Sequence, residues 1–143
     1  MAMAPAPGGE IRLKGIEGLL IDLDGVVTIG GALVPGSAEA LARLERADMP
    51  YRFITNTTRR PRRRVAADLA ALGLAVDVAH VFTPAALARA YCRQRKLSPF
   101  LVTHPDMQED FEGLPPGDRE AVIVGDAGDF FTYARMNAAF RKL

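Results

Sequence analysis

Asp22 and Asp24 stand one residue apart at the end of an apolar run, Gly18-Leu19-Leu20-Ile21, and Gly25 follows them. On a β-strand side chains alternate, so both carboxylates point to one side and Leu23 to the other. Two negative charges so close repel, and one pKa must rise unless a cation or a shared proton lies between them. A solvated Asp-Gly turn would also place acids here, but the apolar run before them reads as a buried strand. A calcium loop that begins Asp-x-Asp-Gly needs an oxygen ligand at its fifth position and glutamate at its twelfth. Those positions hold Val26 and Leu33, which excludes it.

What remains is a nucleophile, a general acid/base and a hard metal ion at the carboxyl end of a strand, where open α/β sheets bind ligands. A carboxylate can attack phosphorus and form an aspartyl-phosphate, dividing one hard displacement into two easier ones. Asp24 can protonate the leaving oxygen and then deprotonate the hydrolytic water. Magnesium suits both tasks, because it takes oxygen ligands, keeps several waters and bridges carboxylate to phosphate. Thr55 and Asn56 end a second apolar run, Tyr51-Arg52-Phe53-Ile54, much as Asp22 and Asp24 end the first. If the two strands are parallel neighbours, their polar ends converge, and a hydroxyl, an amide and free backbone N–H groups make a cradle for phosphate oxygens. A capped loop is the plainer account of Thr55-Asn56 taken alone.

The elements that must position these groups alternate along the chain. Residues 26–34 carry Gly30-Gly31 between two short apolar pieces and read as a hairpin or flap. Pro35-Gly36-Ser37 opens a helix with Ala38, Leu41 and Leu44 on one face, running to about Ala47. Pro61 suits the first turn of the next helix, Val65, Leu69 and Leu72 give it an apolar face, and Gly73 closes it. Val81-Phe82 is a short third strand. Thr83-Pro84 caps a helix through about Lys96, with Leu87, Ala88, Tyr91 and Cys92 inward. Phe100-Leu101-Val102 and Ala121-Val122-Ile123-Val124 are further strands, separated by a polar segment with Pro115-Pro116-Gly117. A last helix begins near Thr132, with Tyr133, Met136, Asn137 and Phe140 on one side. Strands alternating with helices argue for an α/β fold with a largely parallel sheet.

Arg59, Arg60, Arg62, Arg63 and Arg64 put five arginines in six residues. The run reads as a solvated helix start, and a nucleic-acid patch is the alternative. Arginine is unfavourable at the positive end of a helix dipole, which leaves room for an anion to compensate. Arg59 or Arg60 could touch substrate. The formal net charge of +1 over 143 residues gives no global argument for nucleic acid or a membrane as partner. With 49% hydrophobic and 24% charged residues, the chain has the composition of an ordinary globular domain with a real core. Cys92 is the one cysteine, so there is no internal disulfide, and a reducing cytoplasm fits best. Residues 1–14 read as a flexible tail without a secretory signal, and no apolar run is long enough to span a bilayer.

Asp22-Leu23-Asp24-Gly25-Val26, followed by Ile54-Thr55-Asn56-Thr57-Thr58, resembles the haloacid dehalogenase-like phosphatase superfamily. Residues 83–97 and 121–143, above all Phe131-Thr132-Tyr133 with Asn137-Ala138-Ala139-Phe140, are similar to the subclass with a large α/β cap. The resemblance implies a Rossmann-like parallel core over residues 15–80 and the first part of a cap over 81–143. It also implies hydrolysis of a small phosphorylated compound with Mg2+. Asp22 would be nucleophile and metal ligand, Asp24 acid/base and metal ligand through its carbonyl, and Thr55 with Asn56 the phosphoryl holder. Family members continue past the position of Leu143 into the rest of the cap and core. That continuation brings a lysine and an acidic Gly-Asp motif. In a compact, capless enzyme Lys96 and Val124-Gly125-Asp126 through Asp129 would replace them; otherwise Asp126 and Asp129 occupy a cap loop. A catalytically silent phosphate-binding or assembly protein is the alternative function. An incomplete sheet, with an open edge and an uncovered cap face, implies a homo-oligomer.

Overall fold

The computed structural model describes residues 15–143, and the expected N-terminal tail lies outside them. The first half is a three-stranded parallel sheet of β1 (Leu19–Asp22), β4 (Tyr51–Ile54) and β5 (Val81–Phe82), in the order β1-β4-β5. Between β1 and β4 come a hairpin, β2 (Thr28–Ile29) with β3 (Ala32–Leu33), and helix α1 (Ser37–Arg46). Helix α2 (Arg62–Ala71) joins β4 to β5. The hairpin turns on Gly30 and Gly31, both at positive φ, as a two-residue loop matching the strand twist requires.

Alternation along the strands decides which face is covered. Leu23, Phe53 and Val81 are buried in one cluster with Leu41 of α1 and Val65, Ala66 and Leu69 of α2. Both helices therefore lie on the same face. The opposite face carries Leu20, Ile54 and Phe82, with Leu20 68% exposed. Val81–Phe82, just past the expected boundary at residue 80, pairs with β4 in this first sheet.

The second half begins with helix α3 (Pro84–Arg95), whose N-cap Thr83 accepts a hydrogen bond from the Ala86 N–H at 3.2 Å. Strands β6 (Leu97–Val102) and β7 (Arg119–Val124) form a separate parallel pair, and helix α4 (Tyr133–Phe140) follows. A 3-10 segment, Pro105–Phe111, links β6 to β7, and its Met107 and Phe111 pack with Ala85 of α3. Both strands start earlier than the apolar residues predict. Ser98 and Pro99 lack an apolar strand pattern, but among the described residues β6 pairs with β7 alone, so a proline costs it little. The Ser98 hydroxyl accepts from the Gly117 N–H at 2.8 Å, and a Cβ on Gly117 would collide with the Lys96 backbone. That close approach sets where the pair begins.

Helix α3 turns differently from the expected phase. Ala85 and Cys92 are buried, whereas Leu87 and Tyr91 are 63% and 53% exposed. The inward stripe runs through Ala85, Ala88 and Cys92, at i, i+3 and i+7. Small residues there let the helix sit close, and Tyr91 instead lies under the Arg95 guanidinium.

Candidate active site

The register of the first sheet brings the sequence-predicted residues to one edge. Asp22 pairs with Ile54, and Ile54 with Phe82. The ladder continues one step, with the Leu23 N–H donating to Ile54 O and the Thr55 N–H to Phe82 O, both at 3.1 Å. Leu23-Asp24, Thr55-Asn56 and Thr83 therefore leave the sheet side by side at its carboxyl end. Leu23 turns into the core, and Asp22 and Asp24 are both exposed.

The Asp22 carboxylate accepts the Leu23 N–H at 2.8 Å, which holds one of its oxygens over the strand end. Asp24 enters the tight turn at Gly25, whose φ of 86° is the left-handed region glycine tolerates. The Gly25 N–H donates to Thr28 O at 2.7 Å, and this ties the turn to the hairpin. Thr55 is buried, and its hydroxyl oxygen accepts the Thr57 N–H at 3.2 Å. The hydroxyl proton stays available to an anion.

Asp24 and Thr55 share a cavity of about 460 Å³ with Thr28, Thr57, Arg60, Arg64 and Asp68. Asp22 and Asn56 do not line it. The sequence did not single out Thr28, Thr57 or Asp68. The signal that was available is the i, i+4 spacing of Arg64 and Asp68, whose side chains pair at 2.9 Å while Arg60 reaches the other Asp68 oxygen at 3.0 Å.

Every arginine of the run has a carboxylate partner. Besides those two, Arg62 meets Asp110 at 3.7 Å, Arg63 meets Glu109 at 2.9 Å and Arg59 meets Asp126 at 3.6 Å. Asp126 is thus held by Arg59 and by its own turn, accepting the Gly128 N–H at 3.0 Å. Among the described residues no three His, Cys, Asp or Glu side chains cluster as a metal centre, so neither Asp126 nor Asp129 joins Asp22 and Asp24. Lys96 caps the carboxyl end of α3, just before β6. The other end of β6 meets the site-side loop, since Gly125 packs against Thr58 and Thr103, so Lys96 lies about 20 Å along the strand from it. The compact arrangement with Lys96, Asp126 and Asp129 is not formed.

The family model described as haloacid dehalogenase-like hydrolase matches residues 19–115, which takes in both strand-end motifs and the start of the second half. The chain belongs to the haloacid dehalogenase-like hydrolases. It is 36% identical over 136 residues to phospholysine phosphohistidine inorganic pyrophosphate phosphatase of Rattus norvegicus, covering 92% of this chain and 50% of that one. It is 37% identical over 128 residues to haloacid dehalogenase-like hydrolase domain-containing protein 2 of the same species, covering 90% and 49%. Among solved structures, the 4-nitrophenylphosphatase of Thermotoga maritima superposes with a TM-score of 0.76 at 25% identity, over 87% of this chain and 49% of that one. The glycerol phosphate phosphatase of Mycobacterium tuberculosis in complex with magnesium gives 0.73 at 25%, over 87% and 41%. The chain spans about half the length of the curated relatives it matches. Among its described residues, no helix is long and apolar enough to cross a membrane.

Proposed function

We propose that this chain carries the nucleophile and phosphate-holding part of a phosphatase site for a small phosphorylated compound. The observation that carries the reading is the parallel register of β1 and β4, which sets Asp22 and Asp24 beside Thr55 and Asn56 at one sheet edge. An Asp22 oxygen attacks phosphorus and the bond to the leaving oxygen breaks, giving an aspartyl-phosphate. Asp24 donates its proton to the leaving oxygen, then takes one from the water that attacks the phosphoenzyme and restores the Asp22 carboxylate. The Thr55 hydroxyl donates to a phosphoryl oxygen, and Asn56 stands next to it.

The donor chemistry fits magnesium. Carboxylate and carbonyl oxygens are hard ligands, and this ion is commonly held by one or two carboxylates with waters and substrate phosphate completing its shell. The Asp22 carboxylate and the Asp24 carbonyl would hold it, and there it would supply positive charge between two carboxylates and an incoming phosphate. The relative solved with magnesium supports the choice of ion.

On this reading the first sheet and its helices are the front of the catalytic core, extending through β5, and the residues from Thr83 onward are the first part of a cap. The working compartment is a reducing cytoplasm, where Cys92 stays a thiol. The test is a panel of small phosphate monoesters and phosphoamides, assayed with magnesium and again with excess chelator. We expect turnover that disappears with the metal and returns on its re-addition. Turnover that ignores the chelator would contradict the assignment of Asp22 and Asp24 as its ligands.

A further inference from the structure

Helix α2 begins badly by its own sequence. Its N-cap is Pro61, which has no side-chain oxygen to offer, and its first three residues are arginines facing the positive end of the helix dipole. The compensation comes from 48 positions away. Both oxygens of Asp110 accept the Arg62 N–H, at 3.2 and 3.3 Å, and the same carboxylate lies 3.7 Å from Arg62 Nε, a buried nitrogen with no other partner among the described residues. Asp110 is itself buried, between the core residues Met107 and Phe111 of the second half, so it cannot swing away without disturbing them. A second tie lies closer to the site, where the Asp126 N–H donates to the Thr58 hydroxyl at 2.9 Å.

These ties meet on one loop. Residues 55–61 start at Thr55 and end at the first turn of α2, with Thr58 between. We propose that Asp110 is a positioning residue: by capping α2 from the second half, it sets the loop that carries Thr55 and Asn56, so that the phosphate cradle is ordered only while the two halves are docked. The inference rests on the reading of Thr55 and Asn56 as the phosphate holder. The arginine run then acts as a docking edge, with Arg62, Arg63 and Arg59 each engaging an acid of the second half.

The test is hydrogen exchange on the intact chain, read alongside steady-state hydrolysis of p-nitrophenyl phosphate with magnesium. In Asp110→Ala we expect amides of residues 55–64 to exchange about tenfold faster while those of α1 and β6 keep their rates. We expect Asp110→Asn, which keeps an acceptor oxygen, to give a smaller change. KM should rise several-fold in Asp110→Ala and recover towards the wild-type value in Asp110→Asn, with kcat changing less in both. Unchanged exchange at residues 55–64, or an acceleration spread evenly over the whole chain, would overturn the proposal. If Asp110→Ala does not fold, Asp110→Asn decides by the same comparison. Loosening of residues 55–64 in a chain that hydrolyses nothing counts against the phosphatase reading and supports the positioning role.

Discussion

At the scale of single residues, the site depends on how two strand ends present their polar groups. Thr55 is buried and already accepts a backbone N–H, so its hydroxyl has one proton to give and a fixed direction in which to give it. Under the proposed phosphate contact, Thr55→Ala would remove one charge-assisted hydrogen bond, and a loss of about 10- to 100-fold in kcat/KM for p-nitrophenyl phosphate is expected. Cys92 is buried in the face of α3, and that burial pushes its thiol pKa up. It should resist an aromatic disulfide reagent in the native chain and react fully once urea unfolds it; fast native labelling would place Cys92 elsewhere. That Asp22 and Asp24, and then Thr55 and Asn56, leave adjacent strands at one end of the sheet was legible in the sequence, because an apolar run that stops on polar residues is a local pattern; that Asp22 and Asn56 do not line the cavity was not. For Asp68 the one local signal was its i, i+4 spacing to Arg64, which does not show that it also joins Arg60, and Asp110 had none, because it reaches the start of a helix 48 positions away.

At the scale of elements, end signals were more legible than lengths or orientations. Thr83-Pro84 announces the start of α3 because a hydroxyl acceptor followed by proline satisfies the first turn by itself. Gly30-Gly31 likewise announces the hairpin. Thr83→Ala should cost about 1 kcal/mol in urea denaturation, the usual worth of a side-chain cap, and Thr83→Ser should recover most of it. A neutral Thr83→Ala would mean that the first turn of α3 is held by packing alone. The rotation of α3 was legible in part: Ala88 and Cys92 face inward as expected, whereas Leu87 and Tyr91 look like core residues and are exposed, and Ala85 takes the remaining inward place. What decides is the close seat against β6 and Met107, which only the assembled second half supplies. The early starts of β6 and β7 were hidden for a related reason, because the Ser98 and Gly117 contact that sets them joins two distant polar segments.

At the scale of the whole molecule, the first parallel sheet has one covered face, whereas β6 of the second is packed by both α3 and α4, and apolar side chains remain outside. Leu20, Ile54 and Phe82 lie on the sheet face opposite α1 and α2, while Tyr133 and Phe140 lie outward on α4. The stripe at Tyr133, Met136 and Phe140 was legible from its spacing, and the structure turns it to solvent. Exposed apolar area of this kind favours association. Light scattering should show a mass that rises with concentration, and Leu20→Lys should reduce it; a monodisperse monomer at high concentration would contradict this. The α/β class followed from alternating elements and a division near residue 80 from the resemblance, whereas the pairing of β5 with β4 and of β6 with β7 is one no local pattern reveals. In the proposed reaction the Asp22 carboxylate forms the bond to phosphorus. The direct measurement compares magnesium-dependent p-nitrophenyl phosphate hydrolysis by the wild-type chain and by Asp22→Asn, with folding matched by circular dichroism. Wild-type turnover falling by about 10³-fold or more in the variant is the expected result; equal rates in the two proteins would mean that Asp22 is not the nucleophile.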